Sequence, residues 1–180
     1  MALPATVRKF EIALADADRG VYADVDWRVA QHPSESERYL VARILARALE
    51  HVDGLDFSKG GVSDDSEPAL VHRDLQGRLT AWIEIGTPSP ERIHKATKAC
   101  ARVAIYTWKD PDRLAGQLAD VHRAEAVELY ALPAALLDAA AATLARNNRW
   151  QLAVSGRVLY LEIGELSVEG PVERVGILTS

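Results

Sequence analysis

A single α/β domain, with a mixed central β-sheet flanked by helices, is the fold class that this 180-residue sequence predicts. Three observations carry it. Residues 7–14 and 21–29 alternate apolar and polar side chains, the two-residue period of half-buried strands. Residues 37–50 repeat apolar side chains at helical spacing. Residues 78–108 read as strand, helix and strand in succession, the order of a right-handed crossover. The length suits one domain spanning residues 1–180, with a core large enough to bury most of its apolar side chains.

In the first run Arg8, Phe10, Ile12 and Leu14 share a face, opposite Lys9 and Glu11. In the second, Val21, Ala23, Val25, Trp27 and Val29 oppose Tyr22, Asp24, Asp26 and Arg28. The link Asp16-Ala17-Asp18-Arg19-Gly20 has turn composition, so the two runs form an antiparallel hairpin. Ser34 and Glu37 then stand three apart, the spacing of a capping box. Leu40, Val41, Ile44, Leu45, Ala48 and Leu49 form the stripe of the helix that follows, with Arg38, Arg43, Arg47 and Glu50 off it. The helix ends near His51.

Residues 53–67 are rich in Gly, Asp and Ser and read as a long connection, a length that is often functional. A second hairpin, residues 69–72 and 78–85, turns at Leu75-Gln76-Gly77. On its second strand Trp82, Glu84 and Gly86 share one face and Ala81, Ile83 and Ile85 the other. Pro88-Ser89-Pro90 opens a helix with Ile93, Ala96, Thr97 and Cys100 inward and Lys95, Lys98 and Arg102 outward. Residues 102–108 are nearly all apolar, the pattern of a strand buried on both faces in a parallel pairing. A helix from Pro111 to about Arg123, a strand over residues 126–132 and an Ala-rich helix from Pro133 to Arg146 follow. Residues 150–154 and 158–163 form a last hairpin around Ser155-Gly156, and the tail supplies an edge strand.

Composition excludes several classes. With 48% hydrophobic and 26% charged residues the chain is neither disordered nor rich in membrane spans. The lone Cys100 forms no internal disulfide and fits a reducing compartment, so a cytoplasmic protein is expected. No basic region followed by an apolar stretch opens the chain, so neither export nor membrane attachment is expected. A net charge of −5 argues against nucleic-acid binding through overall charge, although a local basic patch can override it. The five histidines show no metal-ligand spacing, and there is no P-loop or dinucleotide fingerprint.

The chemistry-bearing residues gather between residues 63 and 103. Asp64, Asp65 and Glu67 put three carboxylates in a short loop ahead of an apolar run. Such loops are usually solvated, but hard cations such as Mg²⁺ take one or two carboxylates together with water and phosphate oxygens. Glu84, between Ile83 and Ile85, is costly to bury unless it pairs with a cation, either a metal or a helix arginine. Lys95 and Lys98 can offset phosphoryl charge or orient a metal-bound water; equally they form a solvated face, with Lys95 four residues after Glu91. Glu35, in the first turn of the first helix, complements the helix dipole or reaches the same metal. Trp27, Trp82, Trp108 and Trp150 are core residues, or include a base-stacking platform.

These stretches resemble a known family. MALPATVRKFEIALADADRGVYADVDWRVAQHPSESERYLVARILARAL at the start, SDDSEPAL from Ser63, WIEIGTPSPERIHKA from Trp82 and AIYTW from Ala104 are similar to the YaeQ family of small bacterial proteins, over essentially the whole chain. The resemblance implies a variant of the PD-(D/E)XK nuclease core. In that superfamily an Asp ahead of one strand and a Glu on the next bind Mg²⁺, and a Lys two residues after the Glu assists the attacking water. The residues implied here are Asp65, with Asp64 and Glu67 as competitors, and Glu84. Gly86 occupies the usual lysine position, which leaves Lys95 first and Lys98 second as a migrated lysine. Glu35 resembles the superfamily's extra helix acid. The expectation is a Mg²⁺-dependent nuclease or phosphodiesterase acting on nucleic acid. The alternative is a non-catalytic binding or adapter protein of the transcription machinery, because the family is linked to transcription elongation.

Overall fold

Two mixed sheets stand where one central sheet is expected. The computed structural model describes residues 4–59 and 66–179. In chain order these form β1 (Thr6–Asp16), β2 (Val21–Gln31), α1 (Glu37–Leu49), β3 (Leu55–Phe57), β4 (Leu70–Arg73) and β5 (Leu79–Ile85). Then come α2 (Pro90–Ala99), β6 (Arg102–Thr107), α3 (Pro111–Leu118), β7 (Val127–Ala131) and α4 (Ala134–Ala141). The chain finishes with β8 (Asn147–Ser155), β9 (Val158–Ile163), β10 (Leu166–Pro171) and β11 (Glu173–Val175).

The five-stranded sheet runs β10-β9-β8-β1-β2 and the six-stranded sheet β11-β7-β6-β5-β4-β3. The β1–β2 and β8–β9 hairpins form as their alternation and turns predict, and β1 then joins them by pairing in parallel with β8, from Lys9↔Asn147 to Asp16↔Val154. Periodicity shows which face a strand buries but not which edge it seeks. In the other sheet β3, β4 and β5 form an antiparallel meander, and β6 lies parallel to β5 across α2, the predicted crossover. The short β3 lies inside the stretch read as a long connection, and β11 leaves the tail to pair with β7.

The layers follow from what each face buries. Phe10, Ile12, Leu14, Trp150 and Leu152 of the first sheet pack with α1 and α4 against Ile83, Ile85 and Ala104 of the second. The far face of the second sheet, with Trp82, Val103, Ile105, Val127 and Leu129, packs on Ile93, Ala96 and Leu114 of α2 and α3. With α1 lying between two sheets, every residue from Leu40 to Ala48 is buried. Arg43 and Arg47, expected off the apolar stripe, are therefore inside: Arg43 bonds Glu35 and the Ala30 carbonyl, and Arg47 lies over the Trp27 ring at 4.8 Å.

Three boundaries shift. Ser36, not Ser34, caps α1 by accepting from Tyr39 N at 3.1 Å, because Ser34 is held by the His32 ring. The helix after Pro111 ends at Leu118, and the Ala-rich helix ends at Ala141. Asn148 bonds both Ala145 N and Ala145 O, and Lys9 O, curling the chain out of helix and into β8. Among the described residues, no helix is long and apolar enough to cross a membrane.

Candidate functional site

Glu84 lies on β5 between β4 and β6 and is only 4% exposed. A carboxylate at that depth needs donors or a cation. Trp82 Nε1, two residues back on the same strand face, donates to its Oε1 at 2.6 Å, and Arg92 Nε donates to the same oxygen at 2.6 Å. Arg92 is placed by the start of α2, where Pro90 stands in the first turn and the Ser89 hydroxyl accepts from Arg92 N. Its Nη2 also donates to the backbone oxygen of Glu67. One guanidinium thus ties β5, α2 and the acidic loop ahead of β4.

Tyr39, in the first turn of α1, lies beside Gly86 at the end of β5 and against Trp108. Burial first, and then the charge of Glu84, push the Tyr39 phenol up to about 12; Glu35 adds to the rise while Arg43 and Arg92 oppose it. Glu35 precedes the helix instead of sitting in its first turn, so the dipole account of it is corrected. Its carboxylate accepts from His32 N and from Arg43 Nη2, and burial holds its pKa above the ordinary value despite Arg43. Glu35 Oε1 lies 3.0 Å from the same nitrogen but has no hydrogen-bond partner.

Gly86 explains why no lysine follows Glu84 at the usual spacing. Its φ is +88°, a left-handed conformation that L side chains rarely adopt, while its N–H still bonds Tyr106 O at 2.8 Å. Space is not the obstacle, since an added Cβ would meet Tyr39 Cε2 at 3.7 Å and Trp108 Cη2 at 3.9 Å.

Of the predicted site residues, the structure brings Glu84 and the backbone of Glu67 to a common partner, Arg92, and pairs Glu35 with Arg43 instead. Asp64 and Asp65 lie outside the described residues. Lys95 and Lys98 are exposed on α2 and make no ion pair among the described residues. Also among the described residues, no three or more His, Cys, Asp or Glu converge as a metal set. Trp82 and Trp150 are buried, and Trp27 and Trp108 pack against the core, so the core reading of the tryptophans holds.

Arg92 escaped the sequence reading, although a signal existed. At ~100° per residue it borders the stripe of Ile93, Ala96, Thr97 and Cys100, whereas Lys95 and Lys98 fall roughly opposite. A second cluster was also missed. Arg102 begins β6 instead of closing a basic helix face, and it bonds both oxygens of Glu50 and both of Glu128 at 2.7–3.0 Å. Tyr106 and Tyr130, stacked at 4.9 Å, donate to the same two carboxylates. The pairs satisfy one another and clamp the end of α1 to β6 and β7.

The family model described as "YaeQ protein" matches residues 1–171. The "Uncharacterized protein YaeQ" of Escherichia coli (strain K12) is 37% identical over 108 residues, 60% of this chain and 59% of that protein. Its Salmonella typhi counterpart is 34% identical over the same share. The aligned stretch thus spans less than two thirds of these curated relatives. The crystal structure of YaeQ protein from Pseudomonas syringae matches with a TM-score of 0.89 at 30% identity, covering 97% of each chain. That from Xanthomonas axonopodis pv. citri matches with a TM-score of 0.85 at 29% identity, over 98% of this chain and 99% of its own.

Proposed function

The chain belongs to the YaeQ protein family, and from that membership and the buried Glu84 we propose a Mg²⁺-dependent phosphodiesterase acting on nucleic acid, on a variant of the PD-(D/E)XK nuclease core. The order of elements supports the reading: α1, the β3–β4–β5 meander, α2 and the parallel β6, with the acidic loop before β4 and the acid on β5. The observation that carries it is the 4% exposure of Glu84 on a central strand.

Carboxylate oxygens are the donors Mg²⁺ prefers, and Glu84 is one such donor. Glu84 with Asp65 would hold the ion, with Asp64, Glu67 and Glu35 as further carboxylates. The ion, when bound, supplies a nucleophilic water and offsets charge on the phosphate. Arg92 is permanently charged and its planar fork suits a phosphate oxygen. It takes the charge-stabilising part that the sequence assigns to Lys95 or Lys98, which fall on the far side of α2.

One observation favours a second reading. Arg92 and Trp82 already occupy Glu84 Oε1, which is what a degenerate site looks like when a protein cation has replaced the metal. That reading makes the protein a non-catalytic binding or adapter protein of the transcription machinery.

Calorimetric titration of Mn²⁺, a tighter-binding stand-in for Mg²⁺, into the wild type and Glu84→Ala separates the two. The phosphodiesterase reading expects one or two ions on the wild type, none on the variant, and cleavage of labelled nucleic acid with Mg²⁺. No binding at millimolar metal overturns it in favour of the adapter.

A further inference from the structure

Two clefts share Arg28 of β2, the edge strand of the five-stranded sheet; one opens at that edge and the other crosses from β2 over β1 to the start of β8. The first, ≈ 290 Å³, is walled by Arg28, His32, Arg43 and Lys59 around Val29, Ala30 and Phe57. The second, ≈ 190 Å³, is walled by Lys9, Arg28 and Arg146 with Val7 and Asn147. Among the described residues neither wall contains a carboxylate, in a chain with 26 acidic and 21 basic residues. Acids gather instead in the neighbouring trough on the outer sheet face, walled by Glu11, Asp24, Asp26 and Glu162 with Arg149, which pairs with Glu11, as its one basic residue.

The cations of the two clefts are unequal. Lys9 is balanced by Glu11 at 2.8 Å and Asp26 at 3.1 Å, and Arg43 by Glu35. Arg28, Lys59 and Arg146 are exposed and make no ion pair among the described residues. Arg43, whose side chain is 3% exposed, has its Nε without a hydrogen-bond partner.

We propose that these two clefts form one track for the phosphate backbone of a single nucleic-acid strand. The choice of a nucleic-acid strand rests on the phosphodiesterase reading; the track rests on the segregation of charge. A lone phosphate would use one cleft, whereas cations spread over two clefts that share Arg28 suit a repeating polyanion. A membrane surface is the poorer match, because it calls for an amphipathic helix with apolar anchors. These cations line concave walls beside an edge strand.

The test is fluorescence anisotropy of a labelled fifteen-residue oligothymidylate, in EDTA so that cleavage plays no part. Three contacts, at a slope of about −0.7 each for single strands, predict a roughly 20-fold loss of affinity between 50 and 200 mM salt. Arg28→Glu with Arg146→Glu is expected to weaken binding at least tenfold and flatten that slope. Arg113→Glu, exposed on α3, is expected to leave both unchanged. Circular dichroism and the unfolding midpoint verify that the double variant folds; if it does not, Lys59→Glu with Arg146→Gln takes its place. Vesicles of phosphatidylcholine with phosphatidylserine and inorganic phosphate run beside the oligonucleotide. Absent binding at 50 mM salt, equal loss in Arg113→Glu, or tighter binding to the vesicles or phosphate each overturns the track. Track-dependent binding by a protein that takes up no Mn²⁺ upholds the track and overturns only the phosphodiesterase reading.

Discussion

Gly86 makes the clearest case at the scale of single residues. An added Cβ meets ordinary contact distances to Tyr39 and Trp108, so the cost of alanine there comes from φ = +88°. Gly86→Ala is therefore expected to lose about 1–2 kcal/mol, and Gly86→Asn less, because Asn tolerates the left-handed region. Urea unfolding measures this, and an Ala variant as stable as the wild type refutes the backbone account. Glu84 was legible as a buried acid in need of a cation, from its place between Ile83 and Ile85. Its partner was legible as a helix arginine, which Arg92 bears out, but not as Arg92 by name, because a run of lysines draws the eye from the one arginine that borders the apolar stripe. Asp64 and Asp65 stand as the sequence left them, candidates awaiting the metal titration.

At the scale of elements, α1 shows what a pattern reads well and what it misreads. Its apolar stripe was plain in the sequence, but a stripe assumes one buried face, and a helix between two sheets has no exposed one. Arg43 and Arg47 were consequently assigned to solvent. The cap moved by two residues because His32 engages Ser34, a tertiary detail invisible to spacing. The far end of α1 makes a pH prediction. Arg47 Nη1 donates to His51 Nδ1 at 3.0 Å, so the imidazole must be neutral to accept. Burial first, then Arg47 and Arg19, hold His51 below its ordinary pKa. A base whose folded pKa is depressed contributes stability above pH 6.5 that is lost as pH falls through the folded value. Unfolding free energies of the wild type and His51→Gln are expected to diverge between pH 7.5 and 5, with the wild type falling more steeply. Parallel curves contradict it.

For the whole molecule, hairpins, the crossover and the helices on both sides of a sheet were readable, because each is a local pattern. The division into two sheets was not, since it depends on the parallel β1–β8 pairing of the chain's two ends. That pairing makes the strands after α4 indispensable: deleting residues 147–171 removes β8, β9 and β10 and leaves β1 and β2 as a lone hairpin against α1. Two strands alone are marginal in water. The shortened chain is expected to lose cooperative unfolding by circular dichroism and near-ultraviolet signal; a sharp transition near the wild-type midpoint refutes this. The same pairing sets a clock during synthesis. Asn148 bonds Lys9 O across 139 positions of sequence. At 5–20 residues per second a ribosome takes on the order of ten seconds to connect them. Through that interval the newborn β1–β2 hairpin has a bare parallel edge and an uncovered apolar face. A nascent chain stalled before Asn147 is thus the species in which a holding chaperone has the most to grip.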